Sequence, residues 1–452
     1  MERNSVDFSF RAFFALALPF ALQNLMTSCL NMVDTVMVGG LGATAISAVA
    51  IPNNYFTLFN LILYGIGSGM SVMIAQYAGS GDDGSANRIL GIGLLFSLGL
   101  SAVFIFPAAV FPECLLRIFT SDAELVSLGA DYLFTVIFSY AMTAVTACYL
   151  VMLRNKRMAK TVLLISVSAV LANTILNYLF IYGKLGLPAM GVHGAALATL
   201  ISRAYEVVFV LIYVSARKLC PVFDIKELFV RCAEHMRVYV KVTLPVVANQ
   251  LFWTLSITAR VFVFARMGVG ALAAMNVANT VDHIVSSGFY GAVNALEITI
   301  GNQIGAEKKD MAQRTALLFL KRTPVIGLLF TAALLSAARP IPALFTFSAE
   351  EAQFLSGMIG IIAIAMPLRL TLGFLSGIMR SGGKTALVTV IDSGFAWGIG
   401  VSLCYVFGIT LQLSPVVAYI GVVAEYIPRF VFQLMLFVSR KWIRDVVKET
   451  KA

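Results

Sequence analysis

The sequence predicts an all-α integral membrane protein with twelve transmembrane helices, in two parallel six-helix lobes related by a pseudo-twofold axis along the membrane normal. Three observations predict this fold. Hydrophobic residues make up 59% of the 452 residues and charged residues only 12%, which excludes a soluble domain because its surface needs many ionisable groups. The chain also matches itself at an offset of 226 residues, and its basic residues concentrate in alternate connections.

The internal repeat runs through most of the chain without a gap. Matched residues that hold its register include Pro19 on Pro245, Gly42 on Gly268, Asn53 on Asn279 and Arg154 on Arg380. A period this long is not that of a solenoid and indicates two copies of one large folded unit. In a strongly apolar chain, such a duplication is typical of transporters that rock around a central site.

Twelve stretches are long and apolar enough to cross a bilayer, which takes about twenty residues. The first six lie at 11–38, 46–75, 88–112, 124–150, 161–183 and 193–216. The second six lie at 242–266, 272–301, 315–338, 353–379, 386–409 and 415–439. No small-residue cleavage pattern follows the first stretch, so we expect a retained helix rather than a signal peptide.

The basic residues predict the orientation of these helices. One set of alternate connections holds most of them: Arg3, Arg11, Arg88, Arg154 to Lys160, Arg217 to Lys241, Lys308 to Arg322, Arg380, Lys384 and Arg440 to Lys451. The other set holds only Arg117, Lys184, Arg266 and Arg339. Basic loops face the cytoplasm, so both termini are predicted to be cytoplasmic, in the plasma (inner) membrane. Each repeat has an even number of spans, so the two copies enter the bilayer from the same side.

The domain organisation follows from the repeat. Residues 1–216 form the predicted N lobe with helices 1–6, and residues 242–452 form the C lobe with helices 7–12. The charged stretch 217–241 lies between them. Its apolar residues recur near helical spacing, which predicts a short amphipathic helix on the cytoplasmic surface.

Composition also bears on partners. The net charge of +10 comes from short clusters between apolar stretches, so we attribute it to membrane topology and expect no nucleic-acid partner. The six cysteines show no CxxC pair or metal spacing, and we expect neither a metal site nor a cofactor. The expected partners are the lipid bilayer and a small-molecule solute, and we expect a monomer.

Ionisable residues inside predicted spans are costly in lipid and need a water-filled cavity or a partner. Arg203 with Glu206, and Glu425 with Arg429, are three and four residues apart, so each pair shares a helical face and is predicted to neutralise itself. Arg203 and Arg429 also coincide at the repeat offset.

Asp34 has no basic neighbour within one helical turn, and its repeat counterpart is Arg260. An isolated carboxyl in a membrane helix is typical of sites where protons and cations compete. Alternatively, Asp34 is a solvated and inert group at the interface between membrane and water. Asn173 and Asn177 in the fifth span and Thr199 in the sixth could supply further oxygens to a cation-coupling site, although asparagine pairs also join helices.

A second polar cluster is a candidate in the C lobe. Its members would be Arg260, Asp282, Glu297 and Asp392. Structural salt bridges explain these residues as well as a functional role does, because the sequence does not pair them.

Several strings resemble the multidrug and toxic compound extrusion (MATE) family. In the first half they are LALPFALQNLMTSCLNMVDTVMVGGLG from Leu16, NTILNYLFIYG from Asn173 and MGVHGAALATLISR from Met190. In the second half they are ARMGVGALAAMNVANT from Ala265, IGNQIGAEKKD from Ile300 and IMRSGGKTALVTVID from Ile378. The likeness covers nearly the whole chain.

This resemblance implies N and C lobes flanking a V-shaped cavity and export of cationic, amphipathic compounds in exchange for H⁺ or Na⁺. It also implies that Asp34 is the coupling carboxylate and that Asn173, Asn177 and Thr199 accompany it. One departure concerns the seventh helix, where many relatives carry an acid after the proline and this chain has Asn249, Gln250 and Trp253 after Pro245.

The predicted function is therefore secondary active multidrug efflux by alternating access. A lipid-linked oligosaccharide flippase of the same superfamily is the alternative, and it would need several basic residues for an anionic headgroup. An enzyme is not expected, because the chain has three scattered histidines and no HExxH or GxSxG motif.

Overall fold

The computed structural model describes residues 10–220, 232–345 and 347–451. Within these ranges the regular structure is helical. In the first half of the chain, helices α1 to α8 are Phe10–Gly39, Ala43–Ser80, Asp83–Val110, Pro112–Leu116, Ala123–Val136, Phe138–Asn155, Ala159–Tyr182 and Gly191–Ala216. In the second half, helices α9 to α13 are Cys232–Met267, Val269–Gly305, Lys309–Ala337, Ala349–Ser381 and Thr385–Phe395.

The last two spans are less regular. The eleventh begins with α13 and continues through a π-helical segment Ala396–Val401, helix α14 (Ser402–Tyr405) and a second π-helical segment, Val406–Thr410. The twelfth consists of α15 (Pro415–Val423) and α16 (Tyr426–Val438), and α17 (Val446–Lys451) follows it.

The helices agree with the predicted spans. Nine described helices are long and apolar enough to cross a membrane, and α5 with α6, bent by 45° at Ile137, would make a tenth. The first and eighth predicted spans correspond to α1 and α10. Each of the twelve predicted stretches thus coincides with a helical segment.

The chain divides into two compact units. The first unit is residues 22–243, and the second combines residues up to 21 with those from 244 onward. The start of α1 therefore packs with the second unit. There the ring of Phe13 lies 4.4 Å from that of Phe319, and the missing side chain of Gly291 lets α10 approach the backbone of Ala21.

The predicted surface helix of the 217–241 stretch stays a prediction, because the structure describes only part of that stretch. Residues 221–231 lie outside the described ranges, but residues 232–241 form one uninterrupted helix with the seventh span. Tyr239 is buried, and its hydroxyl donates to the carbonyl of Ile66 at 3.2 Å. Tyr239 therefore packs against α2.

Close packing of α2 against α9 depends on a glycine. A Cβ atom on Gly69 would lie 2.8 Å from the Cα of Thr243, closer than real Cβ contacts occur. The contact between α2 and α9 therefore needs a small residue at this position.

The backbone repeats the duplication seen in the sequence. Four pairs of residues 226 positions apart adopt a positive φ in both copies: Gly42 and Gly268, Gly81 and Glu307, Arg157 and Gly383, and Gly186 and Gln412. At Gly42 and Gly268, φ is 110° and 128° and ψ is 171° and 162°, a region open essentially only to glycine. The two copies therefore share turn geometry as well as residues.

Candidate functional site

Three helices of the first unit bring the predicted coupling residues together. Asp34 comes from α1, Asn173 and Asn177 from α7, and Thr199 from α8. Asn177 donates from Nδ2 to Oδ1 of Asp34 at 2.8 Å and to Oδ1 of Asn173 at 3.2 Å. The four-residue spacing stacks the two amides on one helical face, as the sequence predicts.

The amide of Asn173 has two workable orientations. In one, Nδ2 donates to Oγ1 of Thr199 at 3.5 Å and to Oγ of Ser202 at 3.3 Å. After a half rotation, the same group would donate to both carboxylate oxygens of Asp34 at 3.0 Å. Asn173 can thus either donate to Asp34 or present its oxygen to it.

A tight connection between α7 and α8 sets this register. Gly183 ends α7 with φ at 62°, and the amide of Met190 then donates to the carbonyl of Phe180 at 2.8 Å. A Cβ on Gly194 would lie 2.7 Å from that carbonyl oxygen. The two helices can therefore approach closely only with glycine there, and Thr199 falls opposite Asn173.

The sequence missed three neighbours of this cluster. The Tyr132 hydroxyl, on α5, lies near Thr199 and Asp34, and Ser202 contacts Asn173. The positive charge of Arg203 acts on Asp34 through space, while Arg203 also pairs with buried Glu206 at 2.8 Å. Ser202 and Arg203 lie three and four residues after Thr199, a spacing that could have revealed them. Nothing in the sequence links Tyr132 to the site.

The site contains oxygens suited to a small cation. Asp34 is half-buried, whereas Asn173 and Asn177 are 8% and 2% exposed. The Oδ1 atom of Asn177 has no hydrogen-bond partner. Carboxylate, amide and hydroxyl oxygens are the ligands of hard cations, and a lone carboxyl also accepts a proton.

In the second unit, two of the four predicted cluster residues belong to one buried network. Arg260 pairs with Glu425 at 3.6 Å, and Arg429 pairs with Glu425 at 3.8 Å and with Asp392 at 2.9 Å. Gln433 and Ser376 complete it by donating to Asp392 at 2.8 and 3.2 Å. The predicted pairing of Glu425 with Arg429 is thus present.

The other two predicted members pair separately. Asp282 contacts Arg369, and Glu297 accepts from Arg380 at 2.6 Å. The candidate C-lobe cluster is therefore three groups rather than one. His283 is exposed beside Asp282.

The chain matches one family model twice. The model described as MatE matches residues 19–179 and again residues 245–406. The chain belongs to the MatE family. The two matches begin 226 residues apart, so the family's folded unit occurs twice in this MatE protein, and the MATE resemblance is confirmed.

Similar proteins support the same family. This MatE protein is 23% identical to the uncharacterized transporter YisQ of Bacillus subtilis, over 95% of this chain and 94% of that protein. It is 24% identical to the probable multidrug resistance protein NorM of Thermotoga maritima, over 96% of this chain and 93% of that protein. One of these relatives is thus named a transporter and the other a probable multidrug resistance protein.

One solved structure shows the outward-facing conformation of a multidrug resistance MATE family transporter of the MOP superfamily. It matches with a TM-score of 0.85 and 20% identity, covering 98% of this chain and 96% of that chain. The predicted fold class, an all-helical membrane protein of twelve spans in two lobes, is confirmed.

Proposed function

We propose that this MatE protein exports cationic, amphipathic organic compounds in exchange for H⁺ or Na⁺, with Asp34 as the coupling carboxylate. The observation that carries the proposal is the contact of Asp34 with Asn177 in a cluster that also holds Asn173 and Thr199. The names of the multidrug resistance relatives support the substrate class.

Charge balance favours a single cation at this site. Asp34 and Glu206 carry two negative charges, and Arg203 carries one positive charge that is paired with Glu206. The cluster therefore keeps one net negative charge in a membrane-spanning part of the protein, where an uncompensated charge is costly. Binding one proton or one Na⁺ neutralises it.

The two amides suit either ion. With a proton on Asp34, Asn173 can turn its oxygen toward the carboxyl and accept from it. With Na⁺, the oxygens of Asp34, Asn173, Asn177 and Thr199 can all turn toward the ion. Without either ion, the rotated amide of Asn173 donates to the bare carboxylate at 3.0 Å.

The arginines favour a cationic solute over the anionic headgroup of a lipid-linked sugar. Four arginines inside membrane helices pair with acids: Arg203 with Glu206, Arg260 with Glu425, Arg369 with Asp282 and Arg429 with Asp392. Their charges are thus compensated within the protein. A cavity for a large anion would need basic groups that remain available to it.

We expect the exchange cycle to depend on a bend in α1. Pro19 lies inside this helix, two residues before the boundary between the compact units, and proline removes one backbone donor and bends a helix. We expect neutralisation of Asp34 to bend α1 there and release the solute. One charge moving through 100 mV supplies about 2.3 kcal/mol, which equals a concentration ratio of about fifty. The protein would act as a monomer in the plasma membrane with both termini in the cytoplasm.

Purified protein in vesicles tests the proposal. A pH gradient and a Na⁺ gradient are imposed separately, and transport of one fluorescent organic cation is followed. Asp34→Asn should abolish gradient-driven export without unfolding the protein, whereas Asp131→Asn, which changes an exposed carboxylate, should leave it intact. Full export by the Asp34 variant, or export that ignores both gradients, contradicts the proposal.

A further inference from the structure

The second unit carries a charged counterpart of the Asp34 site. At the repeat offset, Arg260 stands where the first copy has Asp34, Glu425 where it has Thr199, and Arg429 where it has Arg203. The arginine near the middle of the sixth repeat helix is thus kept. The acid has moved from the first helix of the repeat to the sixth, and a guanidinium has replaced it.

This network is buried and balanced. Arg260 and Arg429 are 6% and 8% exposed, and Glu425 and Asp392 are 0% and 6% exposed. Two positive charges face two negative charges, with Glu425 between the arginines at 3.6 and 3.8 Å. Neither carboxylate oxygen of Glu425 accepts a hydrogen bond, so charge attraction rather than hydrogen bonding joins Glu425 to Arg260.

The eleventh span leaves room for the guanidinium. A Cβ on Gly400 would lie 3.1 Å from Nη2 of Arg260 and 3.5 Å from Cγ of Glu425. Gly400 belongs to the π-helical segment Ala396–Val401, whereas the matching helix of the first copy, α7, is regular. A π-helical insertion shifts the facing residues, so a glycine faces Arg260 here.

The same span lacks the amides of the first copy. At the repeat offset, Ile399 replaces Asn173 and Leu403 replaces Asn177. The oxygens that could bind a small cation in the first unit therefore have no equivalents at these positions. Arg260 and Arg429 balance the negative charge of Glu425 instead.

We propose that the Arg260 guanidinium is a tethered internal cation of the second unit. Arg260 occupies the position of the repeat that is equivalent to Asp34. There it neutralises Glu425, as the exchangeable ion neutralises Asp34. The transporter then exchanges one coupling cation per cycle rather than two. The stoichiometry rests on the proposed function, but the pairing can be tested without transport.

Replacing the tethered cation should create a second site for a free one. In Arg260→Ala, Glu425 faces a space that a small cation can fill. At pH 8 and constant ionic strength, Na⁺ or methylguanidinium in place of choline should raise the melting temperature of this variant by roughly 2–4 °C more than that of the unmodified protein. Arg260→Ala with Glu425→Gln should lose this additional response.

Two outcomes would overturn the pairing. One is a response to cations that equals that of the unmodified protein. The other is a response that persists after Glu425→Gln. If Arg260→Ala does not yield folded protein, adding Glu425→Gln should restore monodisperse protein, because it removes the negative charge that Arg429 alone does not balance. Failure of that restoration also contradicts the proposal.

Transport measurements distinguish a coupling role of Arg260 from a purely structural role. The unmodified protein should depend on the coupling cation with a Hill coefficient near one, and Arg260→Ala should show a coefficient approaching two as a second ion takes part. An unchanged coefficient overturns the stoichiometry. If Asp34→Asn retains export, the proposed function fails, but the melting experiment still decides the pairing of Arg260 with Glu425.

Discussion

Asn177 donates a hydrogen bond from its amide to the Asp34 carboxylate at 2.8 Å and so joins α7 to α1. The two residues are 143 positions apart in sequence. Because Asn177 is almost fully buried, water cannot easily replace it as the donor. The state of Asp34 is therefore coupled to the packing of α1 against α7.

Asn177→Leu should distinguish the two coupling ions. Loss of a hydrogen bond to a charged group costs about 1.5–3 kcal/mol, or about 10–100-fold in affinity. With H⁺ coupling, the bare carboxylate is destabilised, so transport should saturate at a lower proton concentration. With Na⁺ coupling, an oxygen ligand is lost, so transport should need more Na⁺. Initial transport rates against ion concentration give the answer.

Thr174→Val is the control for that variant. Thr174 lies on the same helix and bonds its own backbone, at Val170, at 3.1 Å. Its loss should leave the ion dependence unchanged. If Asn177→Leu behaves like Thr174→Val, Asn177 has no part in coupling.

Tyr132→Phe should weaken the site modestly. Its hydroxyl lies near Thr199, but Thr199 donates its own hydrogen bond to the carbonyl of Ala195 at 3.0 Å. The loss should therefore be about 0.5–1.5 kcal/mol, a change of roughly 2–10-fold in the half-saturating ion concentration. Tyr178→Phe, at an exposed position of α7, should change nothing. Equal effects of the two substitutions would exclude a role for Tyr132.

The spans and the repeat could be predicted because each depends only on the order of residues along the chain. Hydropathy marks a helix over about twenty residues, and matched glycines such as Gly42 and Gly268 mark positions where the backbone needs a positive φ. The pair Asn173 and Asn177 was accessible for the same reason, since residues four apart share a helical face.

The partner of a residue on another helix could not be predicted, because helix periodicity does not specify which helix packs against a given helical face. Asp282 pairs with Arg369 and Glu297 with Arg380, each on another helix far along the chain. The division of α1 between two compact units has the same origin. Its hydropathy is continuous through Ala21, and only packing shows that the helix changes partners there.

Gln412→Gly should stabilise the protein. Gln412 has φ at 49°, whereas its repeat counterpart is Gly186 with φ at 83°. A left-handed conformation costs an L-residue about 1–2 kcal/mol, and glycine loses about 0.5–1 kcal/mol through greater freedom in the unfolded chain. The expected net gain is about 0.5–1 kcal/mol, measured by thermal unfolding in detergent. The reverse change, Gly186→Gln, should lower stability, and a stabilising result there would contradict the argument.

Gly69→Ala should destabilise the first unit by about 1–3 kcal/mol, the usual effect of overpacking. The new Cβ would meet the backbone of Thr243 at 2.8 Å, so α2 and α9 would have to separate, and backbone yields less easily than a side-chain tip. Gly99→Ala is the matched control, because Gly99 also lies inside a membrane helix and a Cβ there has nothing within 4 Å. It should be neutral or slightly stabilising, since alanine favours helix over glycine by about 1 kcal/mol. Melting temperatures of the two variants measure the difference, and a Gly69 variant as stable as the Gly99 variant would show that the α2–α9 contact does not limit stability.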